Sequence, residues 1–320
     1  MNRTKIVEKA INGTGCSKEE AVWLLDHCSL EELKTDADKI REQFFGKKIK
    51  FCSIVNARSG ACSEDCKFCA QSVHYNTGVE TYPLLSSELI TSKAKESLKY
   101  KSKHFGIVTS GPSVNETELN EICDGVEQIY KTTNINPCAS VGKLSFKQLE
   151  RLKASGLECI HHNLETSKNF FPEICSTHSW EEKIETIKSA KKIGLKVCSG
   201  ALFGLGEKWE DRIELAFSLR EIDPNTVPIN FLMHIKGTPM ESTPKINSED
   251  ALKIIALYRH ILPKTSIKIC GGRVSVLGNR QSEIFQAGAD SIMTGDYLTM
   301  PGSASGDDIN MVEKLGFSID

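Results

Sequence analysis

The chain has 320 residues, 39% hydrophobic and 26% charged, with a formal net charge of −2. That is room for one large domain or two small ones, with the make-up of a soluble globular protein. Without a basic run, nucleic acid and anionic membranes are not expected partners, and the apolar runs, such as "ALFGL" and "INFLM", are too short to span a bilayer.

The opening stretch "MNRTKIVEKAINGTGCSKEE" has no apolar signal-peptide core, which points to a cytoplasmic, reducing location. Residues 1–45 read as helices packed outside the main body. Short apolar runs then alternate with amphipathic helical patterns. The strands are expected at "KIKFCSIVNA", "HFGIVTS", "INPCASV", "CIHHNLE", "LKVCSGALF", "VPINFLM", "SIKICGG" and "DSIMTG". Several intervening helices begin at Ser or Asn with an early Glu, and several stop at Gly, as caps prefer. Strand alternating with helix implies a parallel sheet. Eight such units over about 250 residues fit a closed (β/α)8 barrel better than an open sheet. The chain therefore reads as one α/β domain over 1–320: N-terminal helices over 1–45, a TIM-type barrel over 46–298, and a short C-terminal tail over 299–320 with a Gly/Ser-rich connector.

Twelve cysteines in a reducing compartment favour metal or redox chemistry over a disulfide framework. Three of them, Cys62, Cys66 and Cys69 in "SGACSEDCKFCAQS", are spaced C-x3-C-x2-C in the long loop after the first strand. Active sites of such barrels lie at that C-terminal end of the strands. A structural zinc takes four protein ligands, and only His74 follows nearby. Three thiolates suit instead a four-iron cube with one iron left open for a substrate or cofactor.

The triplet, with Phe68 before its last cysteine and a barrel behind it, resembles the radical S-adenosylmethionine superfamily. The resemblance implies a 4Fe-4S cluster whose open iron binds the amino and carboxylate groups of S-adenosylmethionine. "YNTG", "HHNLETS", "KVCSGALFGLGE", "VPINFLMHIKGTP" and "AGADSIMTGDYL" follow in order and are together similar to the biotin synthase family, from about residue 50 to 300. That family inserts sulfur between two saturated carbons of dethiobiotin. The resemblance implies an electron donor such as flavodoxin or ferredoxin and a homodimer. It puts Phe68, Asn163, Glu165, Lys183, Leu202 and Gly204 at the cofactor, with Gly206 beside Gly204 easing close backbone approach. Glu165 stands where the family usually has Asp, and Lys183 where it tends to have Arg, which keeps charge but loses bidentate geometry. Asn230, with Asn163, is expected to hydrogen-bond the ureido ring of dethiobiotin, since an amide both donates and accepts. As plain structure, either Asn could simply cap a loop or strand end.

The family's second, two-iron cluster uses three cysteines and an arginine. Cys138 and Cys198 match; Gly106 replaces the third cysteine and Lys268 the arginine. Cys270 and Cys52 stand where compensation would be needed. Cys270 follows Lys268 by two residues and so shares its face of the strand. Cys52, Cys138, Cys198 and Cys270 fall on strands one, three, five and seven, and alternate strands build one layer of such a barrel. The expectation is an auxiliary cluster on these four thiols, four-iron with an extra sulfide, or two-iron as the alternative. Buried cysteines are also common as plain core residues. Lys268 is read as a cation beside the cluster or a structural partner, and Arg273 as a second source of positive charge. Cys16, Cys28, Cys123, Cys159 and Cys175 are read as core or helix-surface residues. The competing readings are another radical enzyme of the hydrogenase-maturation or methylornithine type, or a non-catalytic iron–sulfur carrier. The ordered motifs and polar strand ends disfavour both.

Overall fold

The computed structural model describes residues 1–299, Gly302 and 305–320. Of the expected connector, residues 300, 301, 303 and 304 lie outside the described residues. Three helices open the chain, Arg3–Ile11, Lys18–His27 and Leu30–Phe45, capped by Asn2, Ser17 and Ser29. Ser17 and Ser29 form full capping boxes with Glu20 and Glu32, satisfying backbone N–H groups that the first turn leaves free. All three helices pack on the outer helix Ser248–Ile261.

The strands are β1 (Lys48–Arg58), β2 (His104–Thr109), β3 (Asn136–Ser140), β4 (Cys159–His161), β5 (Lys196–Cys198), β6 (Ala201–Phe203), β7 (Thr226–Phe231), β8 (Ser266–Ile269), β9 (Ser291–Met293) and β10 (Ser318–Ile319). Their order is β1-β2-β3-β4-β5-β7-β8-β9, with β6 beside β7 and β1 pairing β9 to close the ring. Every pairing is parallel, as the βα alternation requires. The result is the expected (β/α)8 barrel. β10 adds outside it, pairing Lys48 with Ser318 and Ile49 with Ile319.

The fifth strand, expected to be continuous, is split into β5 and β6. Cys198 pairs with Thr226 and Ala201 with Ile229, so the register persists across the break. Opposite the gap stands Pro228, which has no N–H to give the ladder. At the gap the Gly200 N–H donates to Asn163 Oδ1 at 3.1 Å. No helix among the described residues is long and apolar enough to cross a membrane.

On β1 the odd residues Ile49 and Phe51 are fully buried between sheet and helices, while Lys50, Cys52 and Ile54 face the barrel axis. One ion pair fastens the far side of the ring. Arg259 and Asp290 are both fully buried and meet at 2.7 Å. Asp290 also accepts from Ser266 Oγ at 2.6 Å and the Ile267 amide at 2.7 Å. Arg259 donates to the carbonyls of Gly288, Leu262, Pro263 and Thr265. Asp290→Ala leaves that guanidinium buried and uncompensated, which costs about 3–5 kcal/mol. Urea unfolding should show this loss; an unchanged midpoint would mean the pair does not hold the ring.

Candidate functional site

A cavity of about 600 Å³ runs along the barrel axis, from Lys50 and Lys196 at the strand starts to Phe68 and Cys69 in the loop after β1. That size suits a small ligand with a few convergent polar groups.

The loop at the upper end is shaped by its own backbone. Cys62 exchanges hydrogen bonds with Gln71 O at 3.0 Å and Val73 N at 2.8 Å, and Cys69 N donates to Cys66 O at 2.9 Å. Cys69 and Phe68 line the cavity, while Cys62 and Cys66 lie behind them. Burial pushes the Cys69 thiol up to about 11. Phe68 packs on a small apolar cluster with Phe171, Leu205 and Leu232. His74, the one nearby candidate for a zinc, bonds Ser63 O at 3.0 Å instead. Cys175 is buried in that same apolar cluster, as expected of a core residue, and also meets the triplet. Its sulfur lies 3.7 Å from that of Cys66, because the helix Phe171–Ile174 ends against the triplet loop.

Asn163, Glu165, Leu202 and Asn230 line the middle of the cavity. Glu165 has φ +69°, a left-handed conformation rarely taken outside glycine. Burial pushes its carboxyl up, and Asn163 Nδ2 donates to it at 3.5 Å. Asn230 clamps two strand ends: Nδ2 donates to Ala201 O at 3.1 Å and Oδ1 accepts from Gly271 N at 3.0 Å. Both asparagines thus do the structural work of strand-end caps while presenting their remaining hydrogen-bonding capacity to the cavity. Lys183 lies behind the cavity wall, its Nζ 5.7 Å from the Phe171 ring centre. Gly204 also lies outside the lining. Its φ is +92°, and its N–H points to Glu207 rather than into the cavity, at 3.1 Å from Oε1. Glu207 is a residue that pattern reading missed. Its buried carboxylate also takes the Leu205 amide at 2.7 Å and Arg212 Nε at 2.8 Å, locking the "GLGE" turn.

Lower in the barrel, Cys52, Cys138, Cys198 and Cys270 all face the cavity, as alternate-strand layering requires. Lys268 lines it among them. The charges it feels are the thiols of Cys198, Cys52, Cys270 and Cys138, and its ammonium is held well above its usual range although burial opposes this. Burial pushes up the thiols of Cys52, Cys270 and Cys198, the last to about 11. Hydrogen bonding with Cys159 holds Cys138 below its ordinary range, against burial. Cys159 therefore belongs to this lining rather than to the plain core, since its strand begins opposite Cys138. His161 Nδ1 lies 3.3 Å from Cys198 Sγ. Gly106 pairs in register with Ile54 and Cys138. A Cβ there would sit 3.1 Å from Ile54 Cγ2, so Ile54 fills the space a cysteine would need. Arg273, expected as extra positive charge, acts on the Cys270 thiol from a distance while held by Asp308 at 2.8 Å and Gln281 at 2.8 Å.

Fold and site together define a class, the radical S-adenosylmethionine enzymes: residues 57–219 match the model of the Radical SAM superfamily. Residues 228–318 match that of the Biotin and Thiamin Synthesis associated domain. The biotin synthase of Trichlorobacter lovleyi is 46% identical over 97% of this chain and 94% of its own. That of Thermodesulfovibrio yellowstonii is 47% identical over 92% and 93%. The chain belongs to the biotin synthase family. Among solved structures, methylornithine synthase superposes with a TM-score of 0.85 at 20% identity, covering 98% of this chain and 97% of that one. The FeFe-hydrogenase maturase HydG from Carboxydothermus hydrogenoformans gives 0.83 at 19%, over 99% and 79%. At such identities the likeness is one of fold.

Gly200 is the site's tightest backbone position, where an added Cβ would lie 2.0 Å from Pro228 O. Gly200→Ala should cost about 1–3 kcal/mol and displace the Asn163 clamp. A melting curve matching that of the parent chain would contradict this.

Proposed function

We propose the following division of labour for the sulfur insertion that converts dethiobiotin to biotin. One observation carries it: four axis-facing thiols around a lysine share a cavity with the third cysteine of the triplet. The donor sets fit iron–sulfur clusters. Thiols are the ligands such clusters take, and Lys268, deep in the barrel among them, is a cation that burial penalises and negative charge beside it offsets.

When bound, the 4Fe-4S cluster supplies an electron to S-adenosylmethionine, and an auxiliary cluster of four irons with an extra sulfide supplies sulfur without losing its cube. Cys62, Cys66 and Cys69 hold the first. Cys52, Cys138, Cys198 and Cys270 hold the second, and Lys268 offsets its charge. Phe68 and Leu202 pack the cofactor's flat base, and Glu165 accepts from its ribose hydroxyls. Lys183, behind the wall, supplies a point charge on the side of the cofactor's carboxylate. Gly204 serves by turning the chain under the cofactor, with its amide given to Glu207. Asn230 and Asn163 each keep one amide hydrogen for the ureido ring, their other bonds fixing them in place. A fixed amide spends no rotamer freedom on binding. A flavodoxin or ferredoxin as electron donor and a homodimer belong to the same reading.

Anaerobic incubation with S-adenosylmethionine, a reductant and dethiobiotin should give both 5′-deoxyadenosine and biotin. 5′-Deoxyadenosine without biotin would move the chain to a related radical enzyme, and no cleavage at all would leave a carrier. Reconstitution should load about eight irons per chain rather than about six, with four-iron signatures at both sites. A two-iron Mössbauer spectrum would refute the auxiliary assignment, as would Cys52→Ser and Cys270→Ser chains that keep full iron and activity.

A further inference from the structure

Cys175 and its surroundings have no part in the scheme above. Cys66, Cys175 and His178 bring their ligand atoms within 4.8 Å of one another. The arrangement is fixed by protein contacts alone. Lys67 N–H donates to Ile174 O at 2.9 Å, pinning the triplet loop to the end of the short helix. Asp65 accepts from the amides of Ser176 at 2.9 Å and Thr177 at 3.2 Å, and its Oδ1 lies 3.2 Å from Cys175 Sγ. His178 Nδ1 lies 3.3 Å from the same sulfur and 2.5 Å from Glu64 Oε2. Two thiols are therefore held 3.7 Å apart, with Cys175 buried and Cys66 partly open.

We propose that Cys175 is a resolving thiol for Cys66, guarding it from irreversible oxidation whenever the chain lacks its triplet cluster. A peroxide oxidises the partly open Cys66 thiol to the sulfenic acid and is itself reduced to water. The Cys175 sulfur then attacks the Cys66 sulfur. The S–S bond forms, the S–O bond breaks, and the hydroxyl leaves as water with the Cys175 proton. A dithiol reductant reverses this by two exchanges, ending as its own disulfide and returning both thiols. Rotation about the side-chain bonds closes the gap to the roughly 2.05 Å of a disulfide. Without a neighbouring thiol the sulfenic acid goes on to sulfinic acid, which dithiols do not reduce. The cross-link stands whether or not Cys66 holds iron; its consequence for reloading rests on that assignment.

The test uses the full-length, cluster-free chain. A hydrogen peroxide pulse, alkylation and non-reducing peptide mass mapping should yield a Cys66–Cys175 link. After dithiothreitol, iron and sulfide should restore the four-iron absorbance of an unpulsed sample. Cys175→Ser, pulsed in the same way, should carry Cys66 as sulfinic acid and lose most of that absorbance, while the unpulsed variant loads iron like the parent. The proposal fails if no such link forms, if Cys66 joins Cys62 or Cys69 instead, or if the pulsed variant reloads fully. It also fails if the unpulsed variant loads less iron, since Cys175 would then help to hold the cluster. Zinc bound in equal amount, with both thiols reduced after the pulse, overturns it too. A linked chain that reloads without reductant would instead remove Cys66 from the cluster ligands and leave the cross-link standing.

Discussion

Closure of the sheet between β1 and β9 decides what every functional side chain can meet. Lys50, Phe51 and Cys52 pair with Ser291, Ile292 and Met293, and once that register is set the remaining strands have fixed heights around the ring. Side chains alternate along each strand, so one set faces the helices and the other the axis. The same rule makes Phe51 a buried wall residue and Cys52 a cavity residue. It stacks the thiols below the asparagines and brings the triplet loop over them both. A slip of one residue on any strand would exchange wall for cavity.

That dependence explains what could be read from the chain and what could not. Period-two patterning and cap residues are local, so the barrel and the inward direction of Cys52, Cys138, Cys198 and Cys270 were legible. The triplet is equally local, and its spacing alone leaves one iron open. Three features needed distant partners. Cys175 meets Cys66 across 109 positions of chain, and no periodicity links them. The split of the fifth strand lies opposite Pro228 on the adjacent strand β7, which has no N–H to give the ladder. Glu207 is one residue past "GLG", yet its role depends on Arg212 and on the burial of both.

The exchange of ligands in the barrel has a steric side as well as a chemical one. Ile54 leans on Gly106, so strand two offers no thiol at that level. In the proposed assignment the ligands shift to the strands that remain. Cys52 is two residues from Ile54 on the same face, and Cys270 two from Lys268. In that assignment all four ligands would come from odd strands and would be sulfur alone.

Lys268 completes the electrostatics of that change. An ammonium has three donors and no lone pair, so beside thiols it acts as a charge and not as a ligand. Arginine at this position could reach an iron with a planar, bidentate group; lysine holds its charge at one point. Burial opposes the charge, and the four sulfurs restore it. The lysine and the thiols therefore depend on each other. An all-thiolate cluster brings more negative charge into the barrel than one with an arginine ligand. In the proposed assignment, the Lys268 cation beside the cluster would offset part of that cost, so the lysine and the four cysteines would act as one electrostatic unit.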